Sequence, residues 1–155
     1  MKIIFMIGLP GSGKTTYVNK YLNQGFQIIC PDDVRASLGS PHNPRHEPVV
    51  MQVCDVMARA HLERGVNVIV DATNLSWKLL AKYVNTSKHE YNYETMAVVL
   101  NVSEKVCRER RADRLKDDVY HIRFAGWVSK WKEISTENFA VLKHMFDEVI
   151  IIGGD

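Results

Sequence analysis

The chain has 155 residues, of which 46% are hydrophobic and 25% are charged, and its formal net charge is +2. This length is typical of one domain with a buried core, and the composition excludes a disordered or fibrous protein. No uninterrupted apolar stretch reaches the roughly 18 residues that a membrane helix needs, so we expect a single domain over residues 1–155 without a membrane segment.

Positive charge is concentrated in one part of the chain. Residues 105–132 carry nine Lys and Arg against four Asp and Glu, whereas the rest of the chain carries eleven against fourteen. A basic segment on a nearly neutral protein indicates an anionic partner, which could be ATP, a nucleic acid or both.

The three cysteines, Cys30, Cys54 and Cys107, are far apart in sequence and form no CxxC pair. Their odd number and wide spacing argue against a disulfide framework and against a cysteine-based metal site. We therefore expect a reducing compartment, with the cytoplasm as the default location.

The chain begins with a continuous apolar run at residues 3–7, followed by a glycine-rich loop and a predicted helix at 14–23. An apolar run without polar alternation predicts a strand that is covered on both faces of its sheet. Residues 8–15, GLPGSGKT, satisfy the pattern G-x-x-x-x-G-K-[ST] between that strand and that helix. This context predicts a phosphate-binding loop, the P-loop of nucleotide-binding proteins.

The chemistry of such a loop depends on its glycines, its lysine and its hydroxyl. Glycines let backbone N–H groups turn towards phosphate oxygens, and the following helix adds the positive end of its dipole. Lys14 is expected to reach the β- and γ-phosphates of ATP, and the Thr15 hydroxyl is expected to ligate Mg²⁺. The residues predicted to bind the nucleotide are Gly8, Gly11, Ser12, Gly13, Lys14, Thr15 and Thr16.

A second short apolar strand is predicted at 26–30, followed by residues 31–35 (PDDVR) at the start of a short helix. The carboxyl ends of parallel strands share one edge of a sheet, so this motif should lie near the P-loop. A kinase needs a carboxylate that takes the proton of the acceptor hydroxyl and a cation that holds an anionic group of the acceptor. Asp32 and Arg35, three apart at a helix start, can face one side together and are the candidates for these two roles, with Asp33 as a further candidate for substrate binding. The alternative is an aspartate that only caps the helix and an arginine exposed to solvent.

The segment 39–48 has three prolines in ten residues and is predicted to be a loop. It contains His42 and His46 on the acceptor side, where a substrate contact is an open alternative, although the histidines of the chain show no metal-ligand spacing. Apolar residues at helical spacing then predict a helix over 50–65.

A buried strand is predicted at 66–70, and it ends at Asp71. A carboxylate at this edge of the sheet would reach the water shell of a metal ion at the P-loop. Asp71 is therefore a predicted metal and substrate residue, and Thr73 and Asn74 in the following loop are predicted to hydrogen-bond the acceptor. The alternative is an aspartate that satisfies turn amides or caps the next helix.

These motifs, GLPGSGKTT, P-D-D-x-R and V-x-V-I-V-D-A-T-N-L, resemble those of the 5′-hydroxyl polynucleotide kinases, which belong to a larger group of small P-loop kinases. The resemblance covers most of the chain. It implies that Asp32, the first aspartate of D-D-x-R, is the general base and that Arg35 holds a phosphate of the acceptor strand. The loop motif is common to the whole superfamily, and D-x-T-N is shared with kinases of small molecules.

The remaining elements are a helix at 76–87, a strand at 95–100, a helix capped by Ser103, a helix from about 118 and a last strand at 149–152. Strands that alternate with helices of ten or more residues require crossover connections and a parallel sheet. We therefore predict a three-layer α/β sandwich of the P-loop kinase type, with about five parallel strands and a helical lid.

The lid is predicted at about residues 108–120, where it would fold over ATP and supply a cation to the transferring phosphoryl group. Arg110 and Arg114 are spaced i, i+4 on one predicted helix face, and the resembling kinases carry a similarly spaced pair. These two arginines are the predicted catalytic cations, ahead of Arg108 and Arg111. The alternative is a solvated helix with Arg–Glu and Arg–Asp pairs.

The leading hypothesis is a kinase that uses ATP and Mg²⁺ to phosphorylate a hydroxyl of a nucleic acid substrate, the 5′-OH end of DNA or RNA. A hydroxymethylated base within DNA, a nucleoside or a small metabolite is the alternative acceptor, because the same loop, base and lid would serve it. A nucleotide-dependent switch or a nucleic-acid-binding module is an alternative from another class, and it has no need for Asp32.

Overall fold

A parallel sheet forms the centre of the molecule in the computed structural model, which describes residues 1–39 and 43–154. Its five strands in this part of the chain are β1 Lys2–Ile7, β2 Gln27–Ile29, β3 Val68–Val70, β4 Glu94–Leu100 and β5 Glu148–Ile152. They lie in the order β2-β3-β1-β4-β5, and each adjacent pair is parallel. The predicted α/β fold with about five parallel strands is therefore confirmed.

Helices connect the strands on both faces of the sheet. Their bounds are α1 Lys14–Val18, α2 Pro31–Ser37, α3 Glu47–Glu63, α4 Trp77–His89, α5 Glu104–Arg110, α6 Asp118–Ile134 and α7 Thr136–Met145. Short 3₁₀ turns at Asn19–Tyr21 and Arg114–Lys116 follow α1 and α5. Among the helices of the described residues, none combines the length and the apolar character that crossing a bilayer requires.

Strand β1 divides the core into two layers, because successive side chains of a strand point to opposite faces. Ile3, Phe5 and Ile7 pack in a large cluster with residues of α3, α4, α6 and α7, whereas Ile4 and Met6 pack in a smaller cluster with α1 and β4. All five side chains are at most 2% exposed. Burying each of them contributes about 1.5–3 kcal/mol to folding, so the apolar run fixes β1 in the middle of the sheet.

The segment predicted as a loop at 39–48 is partly helical. Helix α3 begins at Glu47 and contains Pro48 in its first turn, where a proline is tolerated because its missing N–H has no helical partner. His46 occupies the N-cap position of α3, and His42 lies outside the described residues. The loop prediction was therefore wrong at its carboxyl end.

The strand order brings the sequence motifs to one edge of the sheet. The P-loop follows β1, the PDDVR motif follows β2, Asp71 follows β3, and the arginine segment follows β4. Because these four strands are adjacent and parallel, their carboxyl ends open on a common edge, where ligands of open α/β sheets bind.

Candidate active site

The P-loop packs directly against α5. Gly11 and Gly13 have φ angles of +89° and +97°, a conformation that side chains with a Cβ rarely adopt. A Cβ added to Gly11 would lie 3.0 Å from the carbonyl oxygen of Cys107 and 3.2 Å from Cγ of Arg111. The loop apex therefore has no room for a larger residue at Gly11.

The side chain of Lys14 packs back against the P-loop backbone. Its Nζ donates to the carbonyl oxygens of Gly8 and Leu9, at 2.9 Å each, and the residue is 9% exposed. Burial lowers the pKa of Lys14 to about 8, although the negative charge of Asp71 acts in the opposite direction. The ammonium group is thus buried against neutral carbonyls, where an anion would stabilise it more strongly.

A hydrogen bond connects Thr15 of α1 with Asp71, the residue after β3. The Thr15 hydroxyl donates to Oδ2 of Asp71 at 2.8 Å, and Asp71 is 6% exposed. Burial raises the pKa of the Asp71 carboxyl, while the hydrogen bond from Thr15 and the charge of Lys14 oppose the rise. A hydroxyl and a carboxylate are hard oxygen ligands, and Mg²⁺ binds through few protein ligands while it keeps several waters. These two side chains therefore fit the predicted metal site, and their metal role stays a prediction.

The loop after β3 ties that strand to the P-loop. The Asn74 side-chain amide donates to the carbonyl oxygens of Met6 at 2.7 Å and Val70 at 3.2 Å, and Asn74 has a φ of 50°. The backbone N–H of Gly8 donates to the carbonyl oxygen of Thr73 at 3.2 Å. These contacts give Thr73 and Asn74 a role in positioning the loop, and their predicted contact with an acceptor stays a prediction.

On the acceptor side, Arg35 is held by two carboxylates. Its Nε and one terminal nitrogen donate to the two carboxylate oxygens of Glu47, at 2.7 and 2.9 Å, and the other terminal nitrogen donates to Oδ1 of Asp32 at 2.7 Å. The Arg35 side chain is 15% exposed, whereas that of Asp32 is 82% exposed. The hydrogen bonds to Glu47 are the main reason that the pKa of Arg35 is raised. Asp33, also in the first turn of α2, is exposed.

Sequence reasoning missed Glu47. It lies twelve positions after Arg35 and across a proline-rich segment, so no local spacing rule connects the two residues. The signal that was available is chemical, because a half-buried arginine requires a carboxylate partner. That requirement does not identify which acidic residue supplies it.

A second arginine, Arg123 of α6, belongs to the same electrostatic environment. Burial lowers the pKa of Arg123, and the positive charge of Arg35 lowers it further, whereas Glu47 and Asp32 oppose this effect. Its guanidinium lies 4.8 Å from the ring centre of Trp127. Arg123 therefore shares the acceptor side with Arg35, Asp32 and Glu47.

The arginine segment is not one helix. Helix α5 ends at Arg110, because the N–H groups of Arg111 and Ala112 bond to carbonyl oxygens three residues back. Arg114 begins the following 3₁₀ turn. The prediction that Arg110 and Arg114 share one helix face was wrong. Arg110 donates to the carbonyl oxygen of Gly11 at 3.0 Å, whereas Arg114 is exposed and lies 5.9 Å from the ring centre of Tyr120.

Two other arginines of the segment have different surroundings. Arg108 donates to Glu104 of α5 at 2.7 Å, and its guanidinium lies 4.9 Å from the ring centre of Phe124 in α6. Arg108 therefore contacts both helices. Arg111 instead lies on the P-loop beside Gly11. The structure thus brings Arg110 and Arg111 to the phosphate loop, and the catalytic roles predicted for Arg110 and Arg114 stay predictions.

The sheet order, the P-loop and the acidic motifs at the same edge define a kinase-type P-loop domain of the α/β class. The AAA_33 family model, described as an AAA domain, matches residues 3–128, so the chain belongs to this family. Comparison with curated proteins gives no match.

Solved structures share the fold. A chain of a Pnkp1/Rnl/Hen1 complex is 25% identical, and the match covers 70% of this chain and 39% of that one, with a TM-score of 0.61. A chain of the Pnkp1/Rnl/Hen1 RNA repair complex is 22% identical, and the match covers 94% of this chain and 46% of that one, with a TM-score of 0.70. The Mycobacterium tuberculosis APS kinase CysC, in complex with AMPPNP and APS, is 18% identical, with coverage of 74% and 70% and a TM-score of 0.54. The present chain therefore matches less than half of the length of the first two structures.

Proposed function

We propose that the protein is an ATP-dependent kinase that transfers the γ-phosphate of ATP to the 5′-hydroxyl end of DNA or RNA. The observation that carries this proposal is the pairing of an exposed carboxylate, Asp32, with a guanidinium, Arg35, at the sheet edge that also holds the P-loop. A general base next to a cation fits an acceptor that presents a hydroxyl and a nearby phosphate.

The donor side is formed by the P-loop. Lys14 exchanges its two carbonyl partners for phosphate oxygens, which form stronger hydrogen bonds with an ammonium group because they are charged. Mg²⁺, held at Thr15 and Asp71, would supply neutralisation of phosphate charge. Arg110, already at the loop apex, is positioned to follow the phosphates when the lid closes.

The acceptor side performs the proton transfer. Asp32 accepts the proton of the attacking hydroxyl while the new O–P bond forms and the bond between the γ-phosphorus and the bridging oxygen breaks, which releases ADP. Glu47 fixes one edge of the Arg35 guanidinium, so the nitrogen that now contacts Asp32 is the one available to an acceptor phosphate. Arg123 adds a second positive charge to this side.

Two of the fold neighbours are chains of Pnkp1/Rnl/Hen1 complexes, one of them an RNA repair complex, which supports a nucleic acid acceptor. The likeness to APS kinase, whose structure is a complex with AMPPNP and APS, supports a second candidate, a kinase of a small molecule. In both cases the donor chemistry is the same, and only the acceptor differs.

Transfer of radiolabelled γ-phosphate from ATP tests the proposal. The acceptors are 5′-OH oligonucleotides of DNA and RNA, the same oligonucleotides with 5′-phosphate ends, DNA that carries a hydroxymethylated base, and a panel of nucleosides and small anionic alcohols. We expect label on the 5′-OH ends only, and at least about a hundredfold less label with Asp32→Asn protein. Label on small molecules but not on oligonucleotide ends would contradict the nucleic acid acceptor and leave the kinase class intact.

A further inference from the structure

Arg123 of α6 is held in place by an aromatic side chain. Its guanidinium lies 4.8 Å from the ring centre of Trp127, one helical turn further along α6. The Trp127 ring in turn contacts Tyr120 edge-on, with ring centres 5.8 Å apart. Both aromatic residues are half-buried and pack against the larger core cluster. A guanidinium that stacks on a ring anchored in this way has a restricted position and keeps the N–H groups at its edge for hydrogen bonds.

The N–H groups of Arg123 differ from those of Arg35 in their partners. Glu47 and Asp32 accept hydrogen bonds from all three nitrogens of the Arg35 guanidinium. Within residues 1–39 and 43–154, no hydrogen bond or ion pair engages the Arg123 guanidinium, and its nitrogen atoms are accessible to solvent. Arg123 is therefore a positioned cation whose donors are available to a ligand.

The surroundings of Arg123 indicate that such a ligand is negatively charged. Burial and the positive charge of Arg35 lower the pKa of Arg123, although Glu47 and Asp32 act in the opposite direction. The two guanidinium groups repel each other, and an anion bound at each of them would relieve this repulsion. A nucleic acid strand supplies successive phosphates, which basic side chains bind in a fixed register. Two arginines on one side of the site thus fit two neighbouring phosphates of one strand.

We propose that Arg123 binds the second phosphate of the acceptor strand, counted from the reacting 5′-hydroxyl, while Arg35 binds the first. Arg123 is then a substrate-binding residue that makes the enzyme prefer acceptors with at least two phosphates over a nucleoside 3′-phosphate. Trp127 is a positioning residue, because it acts through Arg123. The inference rests on the proposed function, since it requires a nucleic acid acceptor.

The test uses 5′-OH trinucleotides, DNA or RNA according to which ends the transfer assay labels. A methylphosphonate makes one phosphate linkage neutral, so the acceptors are the fully charged trinucleotide, the one neutral at its first linkage and the one neutral at its second linkage. kcat/KM is measured for each acceptor with the wild type, Arg123→Met and Arg123→Lys. Methionine keeps an apolar stem on Trp127 and removes the charge, whereas lysine keeps both the stem and the charge.

Arg64→Met is the matched control for the loss of one arginine. Arg64 is exposed and lies in the turn between α3 and β3, at the edge of the sheet opposite the P-loop. We expect this variant to use all three acceptors as the wild type does.

With the wild type, we expect a neutral first or second linkage to lower kcat/KM by about tenfold to a hundredfold, because hydrogen bonds to charged groups are strong. Arg123→Met should lose about the same factor with the fully charged trinucleotide and nothing further when the second linkage is neutral. A neutral first linkage should still lower the activity of this variant, because Arg35 is intact. Arg123→Lys should retain part of the sensitivity to the second linkage.

Two results would overturn the inference and leave the polynucleotide kinase intact. The first is a wild type that uses the trinucleotide with a neutral second linkage as well as the fully charged one. The second is an Arg123→Met protein that loses the same factor with all three acceptors, which would assign Arg123 a structural role. Label on nucleosides or small anionic alcohols, with no trinucleotide labelled by the wild type, would overturn the proposed function and this inference with it.

Discussion

Arg35 and Glu47 form a bidentate pair between α2 and α3, with N–O distances of 2.7 and 2.9 Å. The pair fixes the plane of the guanidinium before an acceptor binds, and it leaves one terminal nitrogen on the side of Asp32. Under the proposed function, Glu47 would therefore be a positioning residue that holds Arg35 for the acceptor.

Glu47→Gln should lower kcat/KM for an acceptor that carries a phosphate by about tenfold. Glutamine lacks the negative charge that strengthens the hydrogen bonds to Arg35, so the plane of the guanidinium is no longer fixed. The KM for ATP should stay the same. Steady-state kinetics with acceptor and ATP varied in turn give both values. Asp55→Asn, which breaks the exposed pair with Arg59 on the same helix, is the control and should have no effect on either value.

Asp32→Asn should reduce phosphoryl transfer by about a hundredfold to ten-thousandfold, since the amide cannot accept the proton of the acceptor hydroxyl. ATP affinity should be little changed, because Asp32 acts on the acceptor. Asp33→Asn should have a milder effect, as Asp33 is exposed in the first turn of α2. A larger loss with Asp33→Asn than with Asp32→Asn would show that the motif is assigned one residue out of register.

ATP binding should take up a proton at alkaline pH through Lys14. The pKa of Lys14 in the free protein is lowered to about 8 by burial, and phosphate oxygens favour the charged form, so binding raises this pKa. Well below pH 8 the lysine is already charged, and binding takes up almost no proton. Above pH 8 binding must protonate it, so ATP affinity falls as the pH rises. Calorimetry in buffers of different ionisation enthalpy measures the uptake.

Lys14→Ala is the control for this measurement. It should abolish both the proton uptake and phosphoryl transfer while the fold is retained, which circular dichroism can verify. Proton uptake that persists in a folded Lys14→Ala protein would assign the titration to another group. Near-normal turnover of this variant would contradict the central role of the P-loop lysine.

The parts of the site that the sequence predicted are those with local signatures. The strand before the P-loop was predicted from the apolar run at residues 3–7, and the approach of Thr15 to Asp71 follows from the rule that parallel strands end at one edge. Both depend on the order of residues along the chain and on general sheet geometry. The number of strands and the end of β3 before Asp71 were predicted correctly, whereas β2 is shorter than predicted and β3 begins later than predicted.

The parts that the sequence did not predict depend on contacts between distant segments. Glu47 pairs with Arg35 only because α3 packs against α2. The side-chain amide of Asn74 donates a hydrogen bond to the carbonyl oxygen of Met6 because β1 and β3 are neighbours. The end of α5 at Arg110 separates two arginines whose spacing fitted one helix. Side-chain direction at that helix end, which turns Arg111 onto the P-loop, is likewise set by packing against Gly11.

The class of acceptor can be identified from how strongly its phosphate charges affect the activity. If it is a nucleic acid, Arg35 and the basic segment at 105–132 should contact phosphates next to the reacting hydroxyl. Each contact releases counterions, so the apparent KM for a long 5′-OH oligonucleotide should rise with salt by about one power of the salt concentration for every one or two contacts. A free nucleoside gains nothing from these contacts and should be a much poorer substrate than its 3′-phosphate.

The measurement is kcat/KM for a nucleoside, its 3′-phosphate and a short 5′-OH oligonucleotide at two salt concentrations. Arg35→Ala should remove most of the preference for the 3′-phosphate, because the oriented guanidinium is its source, and should spare ATP binding, because Arg35 contacts Asp32 and Glu47 and not the P-loop. Equal use of all three acceptors without salt dependence would favour a small-molecule kinase. Activity only on DNA with a hydroxymethylated base, while ordinary 5′-OH ends are ignored, would assign the enzyme to modified DNA, since both the base Asp32 and the cation Arg35 would serve that hydroxyl as well.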